Sequence, residues 1–172
     1  VLFRLVRRPP SRPKPSPKIL AAAGALLVLL VWALWPSPWS RVKNLDSSGL
    51  AIIAFGDSLT AGNGASAGED YPAALSKEIG LAVVNAGVSG DTTEAALSRL
   101  DSDVLSKNPR IVLVGLGGND FLQSVAPSST EANLRSIVRR IQNAGAMVVI
   151  LGFTFPSLGA DYESMYERVA RE

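Results

Sequence analysis

From residue 50 onward, four short apolar runs alternate with segments of helical periodicity, and few architectures accept that pattern. The runs are 50–55, 81–85, 111–114 and 147–153. Runs of this length, rich in Val, Ile and Leu, read as buried strands, and strands separated by helices predict an α/β domain on a parallel sheet. Between them, Tyr71–Ile79 reads as a helix with Asp70 as its cap, Pro72 in its first turn and Gly80 at its end. A second helix buries Leu97, Leu100 and Val104, with Asp91 and Glu94 spaced like a capping box. The clearest helix carries Leu134, Ile137, Val138 and Ile141 on one face, a Ser128/Glu131 capping box before them and Gly145 as its stop. A last one covers 162–171, after Asp161. No internal repeat is present.

Right-handed crossovers place every loop that follows a parallel strand at the carboxyl edge of the sheet. In a sheet of order 2-1-3-4, strand one lies between strands two and three, beside the point where ligands of open α/β sheets bind. The loops carrying Ser58, Gly90 and Asn119 are then neighbours. A serine at the end of a strand is held on a scaffold with its hydroxyl uncovered. Attack of that oxygen on an ester develops negative charge on the carbonyl oxygen, which positioned N–H groups stabilise. The Ser58 and Gly90 backbone N–H groups and the Asn119 side-chain amide are three such donors. Gly90 lets the main chain approach a ligand without a Cβ in the way. Each loop also has a plainer reading: Asp57 and Ser58 as a turn or helix cap, Gly87 and Gly90 as glycines opening a helix, Asp91 as its cap, 117–120 as a Gly/Asn turn.

Taken together, Phe55-Gly56-Asp57-Ser58-Leu59-Thr60-Ala61-Gly62, Asn85-Ala86-Gly87-Val88-Ser89-Gly90-Asp91-Thr92-Thr93 and Gly115-Leu116-Gly117-Gly118-Asn119-Asp120 resemble the first three blocks of the SGNH (GDSL) hydrolases. The pattern is most similar to the lysophospholipase, acyl-thioesterase and arylesterase branch of bacterial secreted enzymes. The resemblance runs from residue 50 to the end. It implies a flavodoxin-like three-layer fold that hydrolyses small acyl esters, thioesters or lysophospholipids, with no cofactor. It implies Ser58 as nucleophile, Gly90 and Asn119 with the Ser58 amide as oxyanion hole, and Gly56, Asp57, Leu59, Gly87, Asp91 and Asp120 as supporting residues.

In that family the general base is a histidine in an Asp-x-x-His block after a fifth strand. These 172 residues contain no histidine, and the pattern stops after a fourth strand and one helix. A serine near neutral pH needs a base, and ionised carboxylates such as Asp57, Asp91 and Asp120 are poor ones. The expectation is a carboxyl-truncated hydrolase domain without its fifth strand, and no normal turnover from these residues alone. The alternative on the same fold is an inactive acyl-binding or anchoring module. Asn63 stands where many relatives carry an aromatic residue, a change that bears on acyl preference. A third reading takes Asp57, Asp91 and Asp120 as a Mg²⁺ pocket for phosphate chemistry, although no Walker lysine motif or Gly-x-Gly-x-x-Gly fingerprint accompanies them.

Charge is segregated along the chain. Of 17 Lys and Arg residues, eight precede residue 46 with no acidic residue among them, which leaves nine against all 15 acidic groups beyond. The folded part is acidic, so the overall basic pI does not point to nucleic acid. Absence of Cys and His excludes disulfides and the usual zinc sites. Residues 1–18, basic and Pro-rich, read as a solvated cytoplasmic tail. Residues 19–35 carry no charge and as a helix reach about 26 Å, the short end of a membrane span. Trp32, Trp35 and Trp39 follow at the interface. The expected organisation is a signal anchor over 19–35, a linker over 36–49 and the hydrolase domain over 50–172. The domain is exported and membrane-anchored, or secreted if the segment is cleaved.

Overall fold

The computed structural model describes Leu34 and residues 38–153 and 159–171. The chain divides into two compact units, 1–41 and 42–172. In the first, the 3-10 turn Pro38–Arg41 is described. The expected span over 19–35 lies, Leu34 apart, outside the described residues; among these, no helix is long and apolar enough to cross a membrane.

The second unit is built on β1 (Ala51–Gly56), β2 (Val83–Gly87), β3 (Pro109–Gly115) and β4 (Met147–Ile150), all parallel, in the order β2-β1-β3-β4. This is the expected sheet order. All four strand ranges differ from the apolar runs: β1 is shifted by one residue at each end, and β3 extends from Pro109 to Gly115, so that Pro109 opens the strand instead of lying in the turn before it. β2 begins two residues late and runs on to Gly87, because its register with β1 pairs Gly56 with Gly87. β4 ends at Ile150, although the Leu151 N–H still donates to Val114 (2.9 Å).

The helices are α1 (Ser58–Ala61), α2 (Tyr71–Ile79), α3 (Thr93–Asp103), α4 (Gly118–Leu122), α5 (Pro127–Asn143) and α6 (Gly159–Ala170). Side chains alternate across a strand, so each strand serves two faces. Ile53, Phe55, Val112 and Val114 meet Ala96 and Leu100 of α3, Leu134, Ile137 and Ile141 of α5, and Met165 and Val169 of α6 in one core. On the other face, Tyr71, Ala74 and Leu75 of α2 line an apolar groove of about 500 Å³ with Leu113 and Leu151.

Three helix starts correct the sequence reading. Pro127 occupies the first turn of α5, where its fixed φ is favourable. The cap therefore falls on Ala126, with no side-chain hydrogen bond, and Ser128 lies inside the helix. The Ser128/Glu131 box does not form; Glu131 instead bonds Arg135 (2.7 Å) and Arg168 (2.6 Å), tying α5 to α6. Asp91 does not cap α3. Thr92 does, accepting the Ala95 N–H at 3.3 Å. The last helix begins at Gly159, with Asp161 inside it.

Residues 42–49, linker-like in composition, belong to the second unit. Asn44, at φ 57°, donates its side-chain amide to the carbonyls of Gln142 (2.8 Å) and Ala146 (3.0 Å), satisfying orphan acceptors where α5 ends.

The Arg168 and Arg135 hydrogen bonds hold the Glu131 carboxyl down at about 2, against an ordinary value of 4.5. A depressed carboxylate adds stability that is complete above its unfolded value and lost as pH falls through its folded value. Glu131→Gln should therefore lower Tm by about 1–3 °C at pH 7. In calorimetric scans the variant and the parent should converge below pH 2.

Candidate active site

The site begins with a row of glycines. Gly87, Gly56 and Gly115 stand in register across β2, β1 and β3 at the carboxyl edge. A Cβ on Gly56 would collide with the Thr60 hydroxyl, and one on Gly87 with the backbone of Thr60 and Ala61. Without side chains, the strand ends form a floor on which α1 rests, with Thr60 buried against it. Asn85 stitches the contact: its amide donates to the Thr60 carbonyl (2.7 Å) and its carbonyl accepts the Gly87 N–H (2.9 Å). Thr60 and Tyr71 share a further hydrogen bond of 3.1 Å.

Asp57, buried, caps α1 by accepting the Leu59 N–H at 3.0 Å. Ser58 follows as the first residue of the turn, half-buried, and no described group hydrogen-bonds its hydroxyl. The cap reading and the uncovered-serine reading of this stretch therefore describe the same geometry. Leu59 lies on the rim, 53% exposed.

The second loop leaves β2 as Val88 donates its N–H to the Gly56 carbonyl (3.0 Å). Gly90 adopts φ 85°, the left-handed region, and a Cβ there would meet nothing within 4 Å. Its need for glycine is conformational, whereas that of Gly56 and Gly87 is contact. Ser89 bonds Asn63 (2.8 Å), joining the second loop to the first. Asp91 is buried in an ion pair with Arg99 (2.6 Å).

The third loop turns directly into α4. The Asn119 side-chain N–H group donates to the Asp91 carbonyl at 2.9 Å and lies 3.5 Å from the Asp57 carboxylate. One of its two hydrogens is thus firmly held and the other loosely. Asp120, 1% exposed, accepts the Thr93 N–H (2.8 Å) and hydroxyl and the Thr130 hydroxyl (3.3 Å), joining α4 to α3 and α5. Below, Tyr166 of α6 donates to the Leu116 carbonyl (2.9 Å). Burial and the Asp120 charge push its phenol pKa up, so it remains a donor.

The three loops therefore meet at one edge, and the nine residues singled out in the sequence lie on them or on the strand ends that open them. Burial raises the Asp57 carboxyl above its ordinary value, against the Leu59 N–H bond and with the nearby Asp91 and Asp120 charges adding to the rise. Each of these carboxylates is engaged by protein donors, and among the described residues no group of acidic side chains is arranged to hold a metal ion. Arg99 and Tyr166 escaped the sequence reading, and Asn85 and Thr93, although inside the second block, were given no role. Arg99 and Tyr166 sit on helix positions with no local motif, and only tertiary packing brings them to the loops.

A serine whose hydroxyl has no described partner thus stands at the carboxyl edge of a parallel sheet, on the same edge as the Gly90 turn and the Asn119 amide, an arrangement compatible with an α/β serine hydrolase. The sequence profile of the GDSL-like Lipase/Acylhydrolase family matches residues 54–172, and the chain belongs to that family of carboxylic ester hydrolases. It is 34% identical over 124 residues to Esterase TesA of Pseudomonas aeruginosa, covering 69% of this chain and 62% of that one. It is 35% identical over 128 residues to Thioesterase 1/protease 1/lysophospholipase L1 of Escherichia coli K12, covering 70% and 62%. The crystal structure of AlinE4, an SGNH-hydrolase family esterase, superposes with a TM-score of 0.61 at 38% identity, covering 71% of this chain and 69% of that one. The chain thus spans 62% of the length of the two curated relatives, Esterase TesA and the Escherichia coli thioesterase.

The two kinds of glycine should separate on substitution. Gly90→Ala should cost about 1 kcal/mol in urea denaturation, the strain of a left-handed alanine. Gly87→Ala should cost about 2–3 kcal/mol, since α1 must move off the strand ends. Equal losses would contradict the contact role of Gly87.

Proposed function

We propose that the protein is a serine hydrolase of ester or thioester bonds, arylesterase- or lysophospholipase-like in substrate range, with Ser58 as nucleophile. The observation that carries this reading is a Ser58 hydroxyl with no described hydrogen-bond partner, next in sequence to Asp57, whose carboxylate and the Asp91 carbonyl hold the Asn119 amide between them. The names of the relatives, an esterase and a thioesterase/lysophospholipase, support the substrate class. The Ser58 oxygen adds to the acyl carbon as its proton passes to a general base, which these residues do not supply, and the carbonyl π pair moves onto oxygen, where the N–H groups of Ser58, Gly90 and Asn119 receive the charge. Collapse expels the alcohol or thiol, which takes up that proton, and water, losing a proton to the same base, then releases the acid from the acyl-Ser58 ester and returns a proton to Ser58. Residues 1–172 hold no histidine, and none of the three buried carboxylates is free to take the Ser58 proton. The second reading on the same fold is an acyl-binding module without turnover.

A fluorophosphonate probe should label the protein expressed from its complete reading frame, and Ser58→Ala should abolish labelling. Asn119→Ala should lower kcat by about 10²–10³. Absence of labelling in a folded protein, with lysophospholipid binding retained, would overturn the enzyme in favour of the binding module. We infer further that residues 19–35 anchor the chain, with residues 1–18 cytoplasmic and the hydrolase domain exported, or secreted if the segment is cleaved. The protein should then sediment with membranes and resist an alkaline carbonate wash, while deletion of residues 1–37 should release it.

A further inference from the structure

We infer that Arg99 is the positioning residue of the oxyanion donors: one guanidinium holds the Ser58 and Gly90 loops together and, through Asp91, sets the Asn119 amide. The inference rests on the reading of Ser58, Gly90 and Asn119 as the acyl-transfer site. Arg99 lies on α3, and none of its hydrogen bonds is to these residues. Its Nε donates to the Asp91 carboxylate (2.6 Å), its Nη1 to the Ala86 carbonyl (3.1 Å) and Asp103 (2.8 Å), and its Nη2 to the Gly56 carbonyl (3.1 Å). The guanidinium also stands 4.5 Å over the centre of the Phe55 ring.

The acceptors are not scattered. Gly56 is the last residue of β1 and is followed by Asp57 and Ser58, so its carbonyl fixes the direction from which α1 departs. Ala86 is the next-to-last residue of β2, ahead of Gly87 and the Gly90 turn. Asp91 follows Gly90 directly, and its main-chain carbonyl is the group that accepts the Asn119 amide at 2.9 Å. A single planar fork thus joins the backbone leading to one donor, the backbone on both sides of the second, and the acceptor that orients the third.

Only arginine meets these demands at once. Its five N–H groups diverge in a fixed plane, whereas a lysine ammonium is a point charge on a flexible stem. Lysine can keep the Asp91 ion pair while losing the Gly56 and Ala86 carbonyls. The side chain is 16% exposed, so little water is available to replace the missing donors. Oxyanion donors act at about 2.7–3.1 Å from the developing charge, and small displacements of the loops weaken transition-state binding without changing how the ground-state ester is held.

The test compares Arg99→Lys and Arg99→Ala with the parent in the full-length protein. Both variants should lower kcat about 10–100-fold on a soluble aryl ester while KM changes less than about twofold. Ethylguanidinium should restore part of the Arg99→Ala rate, and ethylammonium should not. In ¹⁵N–¹H spectra of Arg99→Lys, the Gly90 amide and the Asn119 side-chain amide should shift, while Leu134 and Ile137 amides on α5 stay in place. If Arg99→Ala does not fold, Arg99→Lys carries the test. A raised KM at parental kcat, a fully active Arg99→Lys, or unmoved Gly90 and Asn119 resonances would each overturn the positioning role. A parent without esterase activity, whose Gly90 and Asn119 signals nevertheless shift in Arg99→Lys, would overturn the acyl-transfer reading and leave the positioning intact.

Discussion

The contact on which the rest of the site depends is that of α1 with the glycine row Gly87–Gly56–Gly115. A four-residue helix has too few internal hydrogen bonds to hold itself, so its position must come from what it lies on. Here the support is bare main chain from three strands, which are rigid because β1 is paired on both sides. Burying Thr60 in this floor fixes the rotation of α1 about its axis, and with it the side on which Ser58 emerges. A side chain at Gly56 or Gly87 would lift the helix and turn the serine, whereas one at Gly115 would meet only ordinary contacts. Strand register thereby becomes a determinant of site geometry, since the row exists only when Gly56 pairs with Gly87 and Gly115.

A second layer of restraint comes from carboxylates. Burying a charge costs several kcal/mol unless donors surround it. The described structure leaves no buried side-chain polar atom without a partner. Asp57 is held by its own helix, Asp91 by Arg99, and Asp120 by Thr93 and Thr130. Each carboxylate therefore anchors a different loop to a different element, and the high cost of breaking any one pairing makes the arrangement specific. The same engagement makes Asp91 and Asp120 poor bases and poor cation ligands, since their oxygens already accept N–H or O–H groups.

What the sequence made legible was whatever repeats locally. The alternation of apolar runs with helical periodicity yields the parallel α/β class, and the sheet order that the family resemblance implies brings Ser58, Gly90 and Asn119 to one edge. Tyr71–Ile79 is readable to the residue because Asp70, Pro72 and Gly80 all act within it. Capping was misread where two candidates compete within one or two positions. Pro127 displaced Ser128, and Thr92 replaced Asp91, because a proline constraint or a distant guanidinium decides between them. The tertiary ties were illegible for a related reason. Nothing near Arg99 in sequence indicates that its guanidinium reaches Gly56, which is 43 positions away. Nor does the helical pattern of α6 indicate that Tyr166 supports the loop at Leu116.

These restraints also resolve a conflict inside the site. On the proposed reading Asn119 serves a developing oxyanion, yet its amide stands beside the Asp57 carboxyl, a strong competing acceptor in the ground state. A freely rotating Asn119 would turn both hydrogens toward Asp57 and be lost to a substrate. The Asp91 carbonyl prevents this by taking one hydrogen at 2.9 Å, which leaves the other 3.5 Å from Asp57, too long for a strong bond. That second hydrogen therefore has little to give up when a better-placed anion arrives. Holding a donor near a competing acceptor, yet not bonded well to it, needs an orientation error of only a few tenths of an ångström. Such tolerance comes from strand ends and buried ion pairs, which is why the loops are short and their anchors lie in the sheet and α3 rather than in the loops themselves.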